Sequence, residues 1–278
     1  MSEAAATQDT PLRALIVVVA VSLVCSILVS TASITLKPIK LLNQKLEQGR
    51  QIVSLTGLVP EDQALTDEDI LQAIEQLDTR VINIDSGEFD DSIDPEDFDA
   101  RAAVNNPELS MAIPAEQDLA RLGRRAKHAL VYLVWEGDEL KRVILPIHGQ
   151  GMWSTLYGLL ALENDLNTIG AVTSYEQAET AGLGDQITRP DWLAQWRGRH
   201  IFNDRGEIAF RVASGPVDED SRMAKHQVDA ISGATVTATA VTRLVEFWFG
   251  PGGYQPFLEK LKNNPPTRQA SGATGSES

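Results

Sequence analysis

The residues best suited to chemistry lie at 229–235, where the sequence is DAISGAT. Gly233 and Ala234 place almost no side chain beside the Thr235 hydroxyl, so a bulky donor could approach it. An apolar stripe at helical spacing begins near Ala234 and predicts a helix whose first N–H groups lack intrahelical acceptors. Those groups and the helix dipole would stabilise an anion esterified to Thr235, the dipole by about 0.3 to 1 kcal/mol. A plain Ser or Thr helix cap is the competing interpretation of the same residues.

A second copy of the last four residues, Ser271-Gly272-Ala273-Thr274, lies in the C-terminal tail and provides an internal comparison. Arg268 stands there at the position that Asp229 occupies in the first copy, and no apolar helix follows. We therefore expect modification at Thr235 and none at Thr274.

Two further segments make the pattern more specific: PIHGQGMWSTLYG at 146–158 and EQAETAGLG at 176–184. With the DAISGAT segment and an apolar N-terminal run, they resemble the NqrC family of the Na+-translocating NADH:quinone reductase over most of residues 12–262. In that family a flavin transferase esterifies FMN phosphate to the last threonine of a D-x-x-[ST]-G-A-T signal. The resemblance thus implies a covalent FMN on Thr235. The other residues of the signal are Asp229, Ser232, Gly233 and Ala234.

The resemblance also implies that the EQAETAGLG segment lines the FMN pocket. The four residues concerned are Glu179, Thr180, Leu183 and Gly184. A flavin needs hydrogen-bonding partners at its polar edge, an apolar side chain against its ring and glycine where backbone approaches closely. Ala181 stands where the family usually has Pro, which removes a fixed backbone angle but no functional group. An ordinary turn and a solvated Glu179 are the alternatives, and we expect Trp153 to fill the core.

The sequence gives little support for a nucleotide, metal or nucleic-acid site. The sequence has no Walker loop, no Rossmann G-x-G-x-x-G and no G-x-S-x-G elbow, so we expect no NADH or ATP site of those kinds. His148 and His226 lack partners at metal-ligand spacing, so we predict no metal and assign no catalytic acid or base. A net charge of -15 argues against nucleic acid as a partner. The acidic stretch at 85–99 is predicted to be a solvated loop, and the single Cys25 excludes an intrachain disulfide.

An uncharged run from Ala14 to Leu36 follows an N-terminal segment of residues 1–13. Its length suffices for one transmembrane helix across a hydrocarbon core about 30 Å thick. A cleaved signal peptide, with Arg13 as its basic flank, is the competing interpretation. Because the run is longer than the usual apolar region of about 7 to 15 residues in signal peptides, we predict an uncleaved, single-pass anchor.

The charges beside the anchor conflict with the topology of the family. Only Arg13 precedes the run, whereas Lys37, Lys40, Lys45 and Arg50 follow it, so a positive-inside count places the following domain in the cytoplasm. The resemblance implies instead a periplasmic domain anchored in a bacterial inner membrane. Since large domains translocate largely regardless of charge, we expect the periplasmic placement.

The elements that position these residues predict an α+β fold with a central antiparallel sheet and flanking helices. They are a helix over 40–58, a capped helix from Thr66, strands over 129–135, 140–147, 157–162, 168–174 and 207–212, a short helix over 191–196, and a helix from Ala234 to the glycines at 250–253. No regular structure is predicted between Ile82 and Ala112. The predicted regions are membrane-proximal (37–125), FMN-binding (126–262) and disordered tail (263–278).

The function implied by the resemblance is electron transfer in a six-subunit membrane complex that reduces ubiquinone with NADH and exports Na+. This chain would contribute an FMN relay and no complete active site of its own. Two alternatives stay open. One is the homologous RnfG subunit of an Rnf-type electron transport complex, which shares the anchor and the flavinylation signal but usually has His at the position of Gln177. The other is a membrane-anchored, non-redox interaction domain in which Ser232 caps a helix.

Overall fold

A long N-terminal helix, α1, spans Pro11–Thr56. It is seen in a computed structural model that describes residues 11–58, 66–75 and 77–268. Within the described residues, Leu12–Lys37 is the one stretch long and apolar enough to cross a membrane, and its side chains are exposed. The predicted anchor and the predicted helix after it are thus one continuous helix. Thr274 and most of the predicted N-terminal segment and tail lie outside the described residues.

The second helix, α2, spans Asp67–Glu75 and begins with the predicted capping box. The backbone N–H and hydroxyl of Thr66 donate to Asp69 Oδ2 at 2.9 and 2.7 Å, and the N–H of Asp69 donates to Thr66 Oγ1 at 3.2 Å. These bonds satisfy donors that have no acceptor within the helix. Ile70, on the inward side of α2, is fully buried.

Ten strands and four further helices follow in the described chain. The strands are β1 Asp78–Asn83, β2 Glu88–Phe89, β3 Ser110–Ala112, β4 Arg124–Ala126, β5 His128–Glu136, β6 Glu139–Gln150, β7 Thr155–Glu163, β8 Ile169–Glu176, β9 Arg211–Val212 and β10 Gln227–Val228. The helices are α3 Ala100–Asn105, α4 Pro190–Ala194, α5 Thr235–Trp248 and α6 Gln255–Asn263, with two short 3-10 helices at Gly184–Thr188 and Ala224–His226.

The central sheet is antiparallel, with strand order β2-β1-β5-β6-β7-β8. Strands β5 to β8 form the two predicted hairpins, and α4 and α5 confirm the helices predicted near 191 and 234. The predicted α+β fold is therefore confirmed. The strand expected over 207–212 is shorter than predicted, since only Arg211–Val212 pairs with β10, and α6 was not predicted.

The prediction of no regular structure between Ile82 and Ala112 is wrong, because this stretch contains strands and a helix. Strand β1 pairs with β5 as far as Asn83, and β2, α3 and β3 lie in the same stretch. Its acidic residues serve as local caps: Asp99 Oδ1 accepts from the N–H groups of Arg101 and Ala102 at 2.9 and 3.1 Å, which begins α3. The sheet therefore includes strand β1, and it lies in the compact unit that begins at Gly49.

Both faces of the sheet are covered. Leu145 and Leu160 face the main core, which α5 and α6 complete. On the other face, Ile52 and Leu55 from the C-terminal end of α1 pack with Ile144. Each large apolar side chain buried in this way contributes about 1.5 to 3 kcal/mol, so α5 and the end of α1 are firmly fixed to the sheet.

Candidate functional site

The site begins where α5 begins. Ala234 is the N-cap of α5, and no side chain accepts a hydrogen bond at this cap in the described chain. Ser232 is exposed and does not cap the helix, which contradicts the alternative in which it does. The first N–H groups of α5 therefore present a partial positive charge beside Thr235 that an anion could neutralise.

Three threonines stand at alternate positions of α5 and differ in their contacts. Thr237 is 1% exposed, and its hydroxyl donates to Glu179 Oε2 at 2.6 Å. The hydroxyl of Thr239 donates to the Thr235 carbonyl at 2.8 Å. Thr235 itself is exposed, and among the described residues its hydroxyl makes no hydrogen bond. Of the three hydroxyl groups, only that of Thr235 is free to carry a large substituent at the helix N-terminus.

The loop between β6 and β7, residues 151–154, is fastened to Glu179, and we call it the Trp153 tip. Glu179 Oε1 accepts from the N–H groups of Trp153 and Ser154 at 3.0 and 3.2 Å and from the Ser154 hydroxyl at 3.2 Å. Glu179 Oε2 accepts from the N–H of Met152 at 3.2 Å, in addition to the hydroxyl of Thr237 on α5. One carboxylate thus joins the tip to the helix that carries Thr235.

The carboxyl group of Glu179 stays ionised at neutral pH. Burial raises its pKa, but hydrogen bonds from the Thr237 hydroxyl and from the backbone of the Trp153 tip together outweigh burial and lower the pKa below its ordinary value. Gly151 and Gly184 leave room for it: a Cβ at Gly151 would lie 2.7 Å from Glu179 Oε1, and one at Gly184 would lie 2.8 Å from Glu179 Cβ and from Thr237 Oγ1.

The predicted pocket segment touches the predicted attachment signal. A Cβ at Gly233 would stand 2.7 Å from Leu183 Cδ2, so the Leu183 side chain lies on the turn that precedes Thr235. Gly233 has φ +74°, a conformation that glycine adopts readily. Thr180 is exposed, and its carbonyl accepts from the N–H of Leu183 at 3.1 Å, which folds the segment into a turn.

Asp229 holds the other end of the signal in place. Its Oδ1 accepts from the N–H of Val217 at 2.7 Å, and its own N–H donates to Gln195 Oε1 at 2.9 Å. Its carbonyl accepts from the Trp192 indole at 3.0 Å. These bonds fix the backbone before the turn, and none of them reaches Thr235.

Comparison with known proteins gives matches along most of the chain. A family model described as an FMN-binding domain matches residues 151–250. The C subunit of the Na(+)-translocating NADH-quinone reductase of Pseudomonas aeruginosa is 38% identical over 258 residues, which cover 92% of this chain and 98% of that protein. Its counterpart from Neisseria meningitidis is 41% identical over 251 residues, with coverages of 90% and 93%. The chain belongs to the NqrC family.

The crystal structure of Shewanella oneidensis NqrC agrees with this membership. It superposes with a TM-score of 0.72 at 37% identity and covers 80% of this chain and 99% of that one. The family expected from the motifs is therefore confirmed, in preference to an RnfG subunit or a non-redox interaction domain. As in the matched family model, residues 151–250 of this NqrC family member form an FMN-binding domain.

Sequence reasoning missed part of the arrangement found in this member of the NqrC family. It assigned no role to Thr237, whose only sequence signal is its place on the buried side of α5. It also expected Trp153 in the core, whereas Trp153 is 66% exposed. Met152 and Val236 are exposed as well, at 48% and 51%. The Gly-Gln-Gly that precedes Met152 was the available signal, because glycine permits the close approach that the tip makes to Glu179.

Proposed function

We propose that this chain carries one FMN, esterified through its phosphate to the Thr235 hydroxyl, and transfers electrons as the NqrC subunit of a Na+-translocating NADH:ubiquinone reductase. The observation that carries the proposal is the hydroxyl of Thr235, exposed and without a hydrogen bond to any described residue, at the uncapped N-terminus of α5. A phosphoester there meets unsatisfied N–H donors and the positive end of the helix dipole. Its neighbours Ser232 and Gly233 are exposed, which supports access by a flavin transferase.

Apolar side chains near Thr235 suit the flavin ring. Met152, Trp153, Leu183 and Val236 are large hydrophobic residues that stay exposed, between 41% and 66%. They belong to three segments that the Glu179 hydrogen bonds and the contact between Leu183 and Gly233 bring together. A flavin buries most of its ring against such surfaces. When bound, FMN supplies the electron-accepting chemistry, and this chain contributes binding and orientation.

The proposal includes the membrane and the partners. Helix α1 anchors the chain, and the sheet-bearing domain lies in the periplasm as one part of a six-subunit complex. A covalent bond keeps FMN from being lost outside the cytoplasm, which supports that placement. Between Leu12 and Leu36 the ionisable side chains are those of Arg13 and Cys25, and neither is a carboxylate that could bind Na+. We therefore place no Na+ pathway on this helix.

Mass spectrometry of the full chain, co-expressed with a flavin transferase, tests the attachment. We expect acid-precipitated protein to stay yellow and the peptide that contains Thr235 to carry the mass of an FMN phosphoryl group. The variant Thr235→Val should lose both signals, while Thr274→Val, the matched change in the tail copy, should keep them. FMN on Thr274, or wild-type protein without covalent flavin, would contradict the proposal. A periplasm-dependent phosphatase fused after residue 268 should be active, and an inactive fusion would reverse the placement.

A further inference from the structure

We propose that Glu179 and Thr237 are positioning residues that lock the Trp153 tip to α5 and thereby hold the Trp153 side chain as one wall of the flavin site. This inference rests on the proposed attachment of FMN to Thr235. It replaces the expectation that the Glu179 carboxylate itself binds the flavin.

The carboxylate of Glu179 has no capacity left for a ligand. An ionised carboxylate offers about four lone-pair sites on its two oxygens. Oε1 accepts three donors from the Trp153 tip, and Oε2 accepts one more from the tip and the hydroxyl of Thr237. All five donors come from the protein, and Glu179 is only 8% exposed. A hydrogen bond from the flavin to this group would have to displace one of them.

Glu179 is the main anchor of the Trp153 tip; in addition, the Ser154 hydroxyl accepts from the N–H of Ala178 at 2.8 Å. The N–H of Gly151 donates to the Ser154 carbonyl at 2.7 Å and closes the tip into a tight turn. The next three N–H groups, those of Met152, Trp153 and Ser154, all donate to Glu179. The side chains at the end of the tip, Met152 and Trp153, are largely exposed and do not anchor it in the core.

The hydrogen bond from Thr237 to Glu179, which we call the lock, connects the Trp153 tip to the helix that carries Thr235. Thr237 lies one position beyond Val236 in the first turns of α5, and its hydroxyl bond to Glu179 spans 58 residues of sequence. Thr237 is buried, so valine can replace it with nearly the same shape while removing only the donor. Serine keeps the donor. The pair of variants therefore separates the hydrogen bond from the packing of the methyl group.

Amide hydrogen exchange on the full chain without flavin tests the lock directly. In Thr237→Val we expect the amides of residues 152–154 to exchange about ten-fold faster or more, because a charge-assisted hydrogen bond that orders their acceptor is lost. Amides in the centre of β6 and β7 should not change. Thr237→Ser should restore slow exchange. Thr239→Val is the matched control on the same helix and should behave like wild type, since within the described chain the Thr239 hydroxyl bonds to the Thr235 carbonyl of α5 and to nothing else.

Iodide quenching of FMN fluorescence in the flavin-loaded chain tests what the lock positions. We expect greater quenching in Thr237→Val than in wild type or Thr237→Ser, because a displaced Trp153 leaves the ring more open. A Trp153→Ala variant should give the same increase. Unchanged exchange at 152–154 in a folded Thr237→Val protein would overturn the lock, and faster exchange without greater quenching would overturn the role of Trp153. Wild-type protein without FMN would instead refute the proposed function, while the exchange data would still decide on the lock.

Discussion

Leu183 lies directly against Gly233, so that a Cβ on this glycine would come within 2.7 Å of Leu183 Cδ2. The contact joins the segment 176–184 to the turn before Thr235. It therefore couples two motifs that are far apart in the sequence. The space that Leu183 occupies exists because residue 233 has no side chain.

The variant Gly233→Ala should damage this contact more than the fold. Alanine at this position must adopt φ +74°, and its Cβ must push Leu183 away. We expect these two effects to lower the free energy of unfolding by about 2 kcal/mol. FMN loading should fall several-fold, although the Thr235 hydroxyl is still present. Urea unfolding and the absorbance of covalent flavin measure the two effects.

Gly206→Ala is the control for backbone strain. Gly206 has a similar φ of +78°, but a Cβ there would meet no atom of the described residues within 4 Å. We expect a loss of about 1 kcal/mol from strain and unchanged FMN loading. Equal loading in both glycine variants would show that the contact with Leu183 does not matter for the flavin.

Two variants of Asp229 separate the role of its charge from that of its hydrogen bond to Val217. Asn at this position keeps an oxygen that can accept from the Val217 N–H, whereas Ala removes it. We expect Asp229→Asn to be loaded with FMN nearly as well as wild type and Asp229→Ala to be loaded poorly, as measured by flavin absorbance after acid precipitation. Poor loading of both variants in folded protein would mean that the transferase requires the charge.

The secondary structure near the site was predictable because its patterns are local. The hairpins of β5 to β8 follow from extended apolar runs, the first rich in β-branched and aromatic residues, and from the turn signals between them, and α5 follows from an apolar stripe ended by glycines. Strand β1 was not predicted, because its polar residues Asp78 and Arg80 mask a strand signal. They are buried as an ion pair, and Asp78 also accepts from the indole of Trp135, which lies on a strand that follows much later in the chain.

The motifs of the site were predictable, but its internal contacts were not. Residue types alone indicated Thr235 and the segment 176–184. The bond between Glu179 and Thr237 depends on how the chain after β8 meets α5, and a single sequence contains no signal for such a distant pair. Glu179 was for this reason assigned to the flavin and not to the Trp153 tip.

His148 should make stability depend on pH. Burial, together with the positive charge of Arg101, lowers the pKa of His148 to about 4, while the unfolded chain has a value near 6.5. Below pH 6.5 the unfolded state therefore binds a proton that the folded state does not, and stability falls as the pH falls towards 4. Between pH 7.5 and pH 5 we expect a loss of about 2 kcal/mol from this group.

The variant His148→Phe isolates that contribution. Phenylalanine keeps an aromatic ring between Tyr157 and Trp248, which lie 5.5 and 4.8 Å from the His148 ring, but it cannot bind a proton. Urea unfolding at both pH values should show a smaller loss in the variant, by about 2 kcal/mol. An identical pH dependence in both proteins would refute the assignment.

Arg142, on β6, should be important for fixing the C-terminal end of α1 to the sheet. Its Nη1 donates to the Leu55 carbonyl at 2.9 Å, and its Nε and Nη2 donate to the Glu163 carboxylate, with the guanidinium side chain only 12% exposed. Replacement by Met leaves the Leu55 carbonyl and Glu163 without this partner, and we expect a loss of about 2 to 3 kcal/mol in urea unfolding.

Arg189→Met is the matched control, because Arg189 pairs with Asp191 at the surface, where both side chains are more than half exposed. It should cost less than about 1 kcal/mol, since water screens an exposed pair. Equal losses in the two variants would show that burial does not set the strength of the Arg142 contacts.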